Sequence, residues 1–514
     1  MKRLVSGNQA LAWGALAAGV DVVAGYPGTP STEALTEILS FVSSAAGSGA
    51  EGAGETGSGK TGGSGGGPAP WVEWSVNEKV AFDVAAGAAW AGKRALVTMK
   101  MSGFNVALDS IMSVAYSGTT GGLVIYVADD PGAEAGMPEQ DSRLFSFLAG
   151  LPMLEPGTVR EAYTLTRDAF AISEKTSLPV IIRLVTSVSH GEEELDADFS
   201  YQPLGREAWH ERNIQKFTKA GSKLCVDQHK DLLSALERCE DIFAASGYNR
   251  FIGPETGDLC VVSSGVLNEY AAELRDAAGD RGCGGPGGGF TSAALTATYP
   301  FDRKLAFRIF AGFGTILVLE ELDPVMETRL RSLAQLSGWT GRIIGKMDGT
   351  LPQTGRYTVD EIEAGLWTAR GKNRSGAENP RGMENSPREE SSRCADESAQ
   401  TEKSPAPQYR HPITFCSGCP HRGTYMALNR GIRKAGFKQK DVIVTGDIGC
   451  TILGMNPPFN SCWTEVSMGS SIALAQGFLR AGIKTPVVAT IGDSTFFHAG
   501  IAPLINAVQQ NASI

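Results

Sequence analysis

Short strand-like runs alternate along the chain with stretches that have helical spacing. Ala95–Met99, Leu123–Ala128 and Pro179–Leu184 are too short for helices and too apolar for solvent-facing loops. Runs of that kind predict strands covered on both faces. Their alternation with helices predicts parallel sheets. Residues 1–43 read as helix, strand, turn and helix, and residues 76–92 as an Ala-rich helix. Asp258–Ser263 and Thr315–Glu320 predict two more strands, with helices at Leu267–Ala277 and Val325–Leu336. Val442-Ile443-Val444 and Val487–Ile491 predict a last pair, with helices at Ser471–Leu479 and Ile501–Val508. The expected fold class is α/β, in three units with mostly parallel sheets.

The polar stretches set the boundaries. Residues 44–70 are Gly/Ser-rich and read as a flexible insertion. Between Trp367 and Ile413 there is no Val, Ile, Leu, Phe or Trp, so residues 368–410 read as a disordered linker. The units expected are therefore 1–200, 205–367 and 411–514. The last carries few strands before Ile514, which predicts a unit incomplete at its C-terminus.

Composition narrows the function. Hydrophobic residues are 42% and charged residues 20%, ordinary for a folded soluble chain. The formal charge of −10 argues against coating nucleic acid or an anionic membrane. No run of 18 apolar residues offers a membrane span. Nine Cys with no tight spacing indicate reduced thiols and a cytoplasmic protein.

Several motifs carry chemistry. Gly54-Glu55-Thr56-Gly57-Ser58-Gly59-Lys60-Thr61 fits the P-loop pattern, but Gly/Ser runs flank it where a strand and a helix are required. Chance in low-complexity sequence explains it better. Gly492-Asp493-Ser494 follows an apolar strand. The Gly permits a close approach to phosphate, and the Asp suits Mg²⁺, which takes few carboxylates beside diphosphate oxygens. Its bland reading is a turn Asp that caps a helix. Cys416, Cys419 and Cys450 form a thiol set open to Fe–S, to Zn or to no metal at all. Glu78 opens an apolar helix, where a carboxylate is also favoured by the helix dipole. Tyr26-Pro27-Gly28-Thr29-Pro30-Ser31-Thr32 lies between a strand and a helix and reads as turn and cap chemistry.

As a group these segments resemble the large (alpha) subunits of indolepyruvate ferredoxin oxidoreductases, within the thiamine-diphosphate 2-oxoacid:ferredoxin oxidoreductases. The likeness rests on GYPGTPSTE at 25–33, NEKVA at 77–81, KMSGFNVALD at 100–109, VLEELDP at 318–324, FCSGCPHRGT at 415–424, GDIGC at 446–450 and IGDSTFFHAGI at 491–501. It implies a pyrimidine-binding fold, a transketolase-C-like domain and a diphosphate-binding fold. It implies Glu78, Thr29 and His421 as catalytic residues. Gly28, Asn105, Asp447, Gly449, Gly492, Asp493, Ser494 and Thr495 would bind cofactor. Asp493 would hold Mg²⁺, and Cys416, Cys419 and Cys450 are candidate ligands of a 4Fe–4S cluster. Lys100 is either a charge offered to the 2-oxoacid or a solvated surface Lys. Implied partners are a smaller beta subunit, ferredoxin, CoA and an aryl 2-oxoacid. The implied reaction is oxidative decarboxylation of an arylpyruvate such as indole-3-pyruvate. Two other readings share these residues: a non-oxidative thiamine-diphosphate decarboxylase, told apart by its aldehyde product, and a catalytically incomplete binding subunit.

Overall fold

The computed structural model describes residues 2–45, 69–134, 138–196, 200–280, 290–371 and 415–514. The P-loop-like stretch at 54–61 and nearly all of the expected linker lie outside these residues.

The largest sheet has seven strands. Their order is Ala297–Tyr299, Met153–Leu154, Val180–Val185, Leu123–Asp129, Ala95–Lys100, Val22–Gly25 and Trp71–Trp74. All neighbours run parallel except the outermost, Ala297–Tyr299, which is antiparallel to Met153–Leu154. Every residue of Leu123–Asp129 and Val180–Val185 is buried, because helices cover both faces. The edge strand 297–299 is drawn from the segment expected to form the second unit. Residues 213–246 of that segment also reach back: Phe217, Leu232 and Ala235 belong to the core of this first sheet.

A second sheet has five strands in the order Arg342–Ile344, Phe313–Leu319, Gly257–Ser264, Thr291–Leu295 and Arg250–Ile252. Only Arg250–Ile252 runs antiparallel to its neighbour. The third region pairs Ile443–Thr445 with Val487–Ala489 in parallel. The α/β class with mostly parallel sheets is as expected. One small pair was not foreseen. Lys2–Ser6 pairs antiparallel with Glu192–Asp196. It has four acidic residues on one strand and no apolar alternation to read.

Two different joints hold these parts together. Between the first and second sheets lie buried charges. Arg143 pairs with Asp141 at 2.6 Å and with Glu320 at 2.7 Å. Arg183 pairs with Asp129 at 2.6 Å and with Glu155 at 2.7 Å. Between the first sheet and the third region, the helix Glu78–Trp90 crosses the helix Ser470–Arg480 at glycine. A Cβ on Gly477 would lie 2.2 Å from Val84 O and 2.9 Å from Gly87 Cα, so only hydrogen fits there.

Candidate functional site

Three adjacent strands of the first sheet, Trp71–Trp74, Val22–Gly25 and Ala95–Lys100, end on the same side because they run parallel. Ligands of such sheets bind at those carboxyl ends. The turns that follow carry Thr29, Glu78 and Lys100, so one sheet edge gathers three residues spread over 72 positions of sequence.

Local chemistry shapes each turn. Asn77 caps the helix Glu78–Trp90 by accepting a hydrogen bond from the Val80 N–H at 2.9 Å. Glu78 is therefore free of capping duty. Its side chain is 9% exposed and makes no hydrogen bond among the described residues. It lies against Gly103, where an added Cβ would sit 2.5 Å from its Cγ and 2.7 Å from its Oε1. Thr29 is exposed on its loop. Beneath it the Asn8 amide donates to Pro30 O at 2.8 Å, and the buried Tyr126 hydroxyl donates to Asn8 at 2.7 Å. Gly28 donates its N–H to Thr32 Oγ1 at 2.8 Å. The alkyl stem of Lys100 runs over Gly28, within 2.9 Å of where a Cβ would stand. Lys100 is thus half-buried along its stem rather than free in solvent. Asn105 is exposed and pairs with the Gln140 amide at 2.8 Å.

The third region faces this edge. Its two strands end at Gly446–Cys450 and at Gly492–Thr495. Asp447 is fully buried. Its carboxylate accepts from the backbone N–H of Ile448 and of Gly469 at 2.9 Å, and of Ser471 at 3.1 Å. Burial pushes its pKa up, and these amides oppose that. The residue thus ties its own turn to the start of the helix Ser470–Arg480, and its oxygens are already engaged. Gly449 has φ +99°, a conformation open to Gly at little cost. Asp493 and Ser494 are exposed at the mouth of the second turn, while the buried Thr495 hydroxyl donates to Ile448 O at 3.3 Å.

Polar contacts lock the two halves beside Glu78. Lys79 Nζ reaches Ser470 Oγ at 2.9 Å and Asp83 at 2.8 Å. Ser110 and Ser467 share a hydrogen bond of 2.7 Å. Asn506 accepts from Val76 N–H at 3.0 Å and donates to Glu73 at 3.1 Å. None of Lys79, Ser467, Ser470 or Asn506 stood out in the sequence, because nothing local distinguishes a Ser that meets a partner hundreds of residues away.

The cysteines behave differently. Cys416 and Cys450 are exposed, and Cys419 lies 3.3 Å from His421 Nδ1. The His421 ring also stacks on Phe415. Among the described residues no three His, Cys, Asp or Glu side chains converge as metal ligands. Cys416, Cys419 and Cys450 therefore do not form a three-thiolate set in this arrangement, and Asp493 stands as a single carboxylate.

Residues 13–198 match the family described as pyruvate flavodoxin/ferredoxin oxidoreductase, thiamine diP-binding. Residues 447–514 match the C-terminal TPP-binding domain of thiamine pyrophosphate enzymes. The indolepyruvate oxidoreductase subunit IorA of Methanothermobacter marburgensis is 34% identical over 506 residues, covering 98% of this chain and 72% of that protein. The chain belongs to the indolepyruvate oxidoreductase family. The IorA subunit of Archaeoglobus fulgidus is 33% identical over 517 residues, with 99% and 73% covered. A solved 2-oxoglutarate:ferredoxin oxidoreductase from Magnetococcus marinus shares the fold, with a TM-score of 0.52 at 14% identity, over 70% of this chain and 64% of that one. The chain is thus a subunit of a thiamine-diphosphate-dependent 2-oxoacid:ferredoxin oxidoreductase of this family. No helix among the described residues is long and apolar enough to cross a membrane.

Proposed function

We propose that the chain catalyses, with a smaller beta subunit, the oxidative decarboxylation of arylpyruvates such as indole-3-pyruvate. The substrate loses CO₂, its carbonyl carbon forms a thioester with CoA, and the electrons released reduce ferredoxin. The aryl preference rests on kinship with the IorA subunits.

The observation that carries the reading is Glu78, a residue 9% exposed whose carboxylate makes no hydrogen bond among the described residues and lies against Gly103. A carboxylate so nearly enclosed, with no donor from the described residues, is open to a donor from a ligand. Thiamine diphosphate suits that carboxylate in chemistry, and when bound it supplies a carbon nucleophile and an electron sink. Glu78 would hold and move a proton at the aminopyrimidine ring nitrogen. Gly28 and Asn105 would line the ring end of the site. Gly449, Gly492, Ser494 and Thr495 would border the diphosphate, with Asp447 holding their loops in place. Asp493 would supply one carboxylate to Mg²⁺. Thr29 would hydrogen-bond the 2-oxoacid, and His421 would present a proton to it. Cys416, Cys419 and Cys450 do not fit a cluster as they stand, and no electron step is routed through them.

Glu78→Gln tests the reading. Turnover is expected to fall by roughly 10³-fold, within the range for losing a general acid–base. Thiamine-diphosphate binding by calorimetry and the thermal midpoint should stay close to wild type. Near-normal turnover in this variant would remove Glu78 from the mechanism.

A further inference from the structure

The acidic chain carries a strongly basic surface. Residues 415–440 contain six Lys and Arg and no Asp or Glu, against a whole-chain charge of −10. Most of this stretch is the helix Pro420–Lys434. Arg422, Met426, Arg430 and Arg433 follow the spacing of one helical face. Arg430, Arg433, Lys434, Lys438 and Lys440 are exposed, and none forms an ion pair with a described residue. Other exposed cations, such as Arg303, Lys304 and Arg308, each hold a carboxylate within 3.0 Å.

Helix-dipole chemistry explains only the last turn, Arg433 and Lys434. It does not explain Arg430, Lys438 or Lys440. It also leaves out the apolar residues set among the cations, Met426 at 65% exposure and Phe437 at 43%. Arg, Met and Phe are the side chains enriched where proteins bind proteins. A nucleic-acid partner is disfavoured by the chain's formal charge of −10. The neighbouring segment 372–414 does not supply the complement, because it holds seven cations and seven carboxylates.

We infer that the exposed face of Pro420–Lys434, continued to Lys440, docks an acidic protein that sets carboxylates around an apolar centre. Resting on the function proposed above, that protein is the electron acceptor, and the probe is an acidic ferredoxin. Rim charges of this kind set the association rate and its salt dependence more than the chemistry.

The test is a triple variant, Arg430→Glu with Arg433→Glu and Lys434→Glu, in the assembled two-subunit enzyme. Binding to immobilised ferredoxin is measured directly, and turnover is followed with ferredoxin and with methyl viologen. The variant should bind ferredoxin at least about tenfold more weakly and show a KM for it raised alike, through lost electrostatic steering. Wild-type binding should weaken as salt rises from about 0.1 M to about 1 M, which shortens the screening length from about 10 Å to about 3 Å. The variant should be nearly indifferent to that change. Methyl viologen reduction and subunit co-purification should be unaffected. Unchanged ferredoxin affinity in the variant overturns the proposal. Loss of co-purification also overturns it, and assigns the face to the beta subunit instead. A wild-type enzyme that reduces neither acceptor would refute the oxidoreductase reading, while the binding measurement would still decide the docking face.

Discussion

Arg143 and Arg183 sit between the first and second sheets at 2% and 3% exposure and hold four carboxylates with them. Gly87 and Gly477 sit between the first sheet and the third region and hold nothing at all; they work by leaving room. The two joints respond to opposite injuries. A buried ionic joint gains little over an apolar one, because desolvation offsets attraction, but it fails when one partner is removed. A glycine crossing fails when a carbon is added, because its close backbone contact leaves no room for one. The candidate residue Glu78 opens the helix that makes this second joint. The ionic joint instead extends outward: Arg143 also donates to Glu321 O at 2.5 Å and to Asp323 O at 2.8 Å. The Glu-Glu-Leu-Asp segment is thereby bound to the first sheet.

Arg143→Met is the harshest test of this contrast. It leaves Glu320 buried without its cation and Asp141 with only Arg183 at 3.9 Å, and about 3–5 kcal/mol of stability should be lost in urea unfolding. A loss below about 1 kcal/mol would mean that water reaches those carboxylates.

Glu321 gives the next largest effect, and it depends on pH. Burial pushes its carboxyl up to about 7, while Arg183, Arg143 and Arg356 pull against that. The folded state then binds a proton that the unfolded chain releases from about pH 4.5. Stability therefore falls as pH rises from there through 7, by up to about 3 kcal/mol. Glu321→Gln should flatten that slope, matching wild type near pH 5 and exceeding it near pH 8. A slope that persists in the variant would place the titrating group elsewhere.

Gly477→Ala acts on the other joint and should cost about 1–3 kcal/mol, the usual range for an overpacked contact. Its more telling readout is function. Thiamine-diphosphate affinity should fall along with stability, since the crossing sets the spacing of the site. In Arg143→Met, by contrast, the surviving folded fraction should bind the cofactor normally.

The strands at 95–100, 123–129 and 180–185 were legible in the chain because burial on both faces demands unbroken apolar runs. The pair Lys2–Ser6 and Glu192–Asp196 was not, because an exposed two-stranded pair needs no apolar pattern. Glu78 was recognisable only within its motif; by position alone it reads as a helix-start carboxylate. Asn77 takes the capping role, and that leaves Glu78 available. Asp447 shows the reverse. The resemblance implies a cofactor contact for it, while its hold on three backbone amides is visible only in the fold. Spacing likewise suggested that three cysteines meet, and the described structure leaves Cys416 and Cys450 exposed and unassembled.

The sequence by itself determined the alternation of strand and helix, the glycine-bearing turns and the membership in a thiamine-diphosphate family. These depend on neighbours within a few residues, so local pattern records them. Tertiary structure alone decided which turns face each other. Val76 and Asn506 are joined across 430 residues, Lys79 and Ser470 across 391. Such contacts select a side chain for what lies opposite it in space, and a Ser or Gly chosen for that reason looks the same in the chain as one that meets only water.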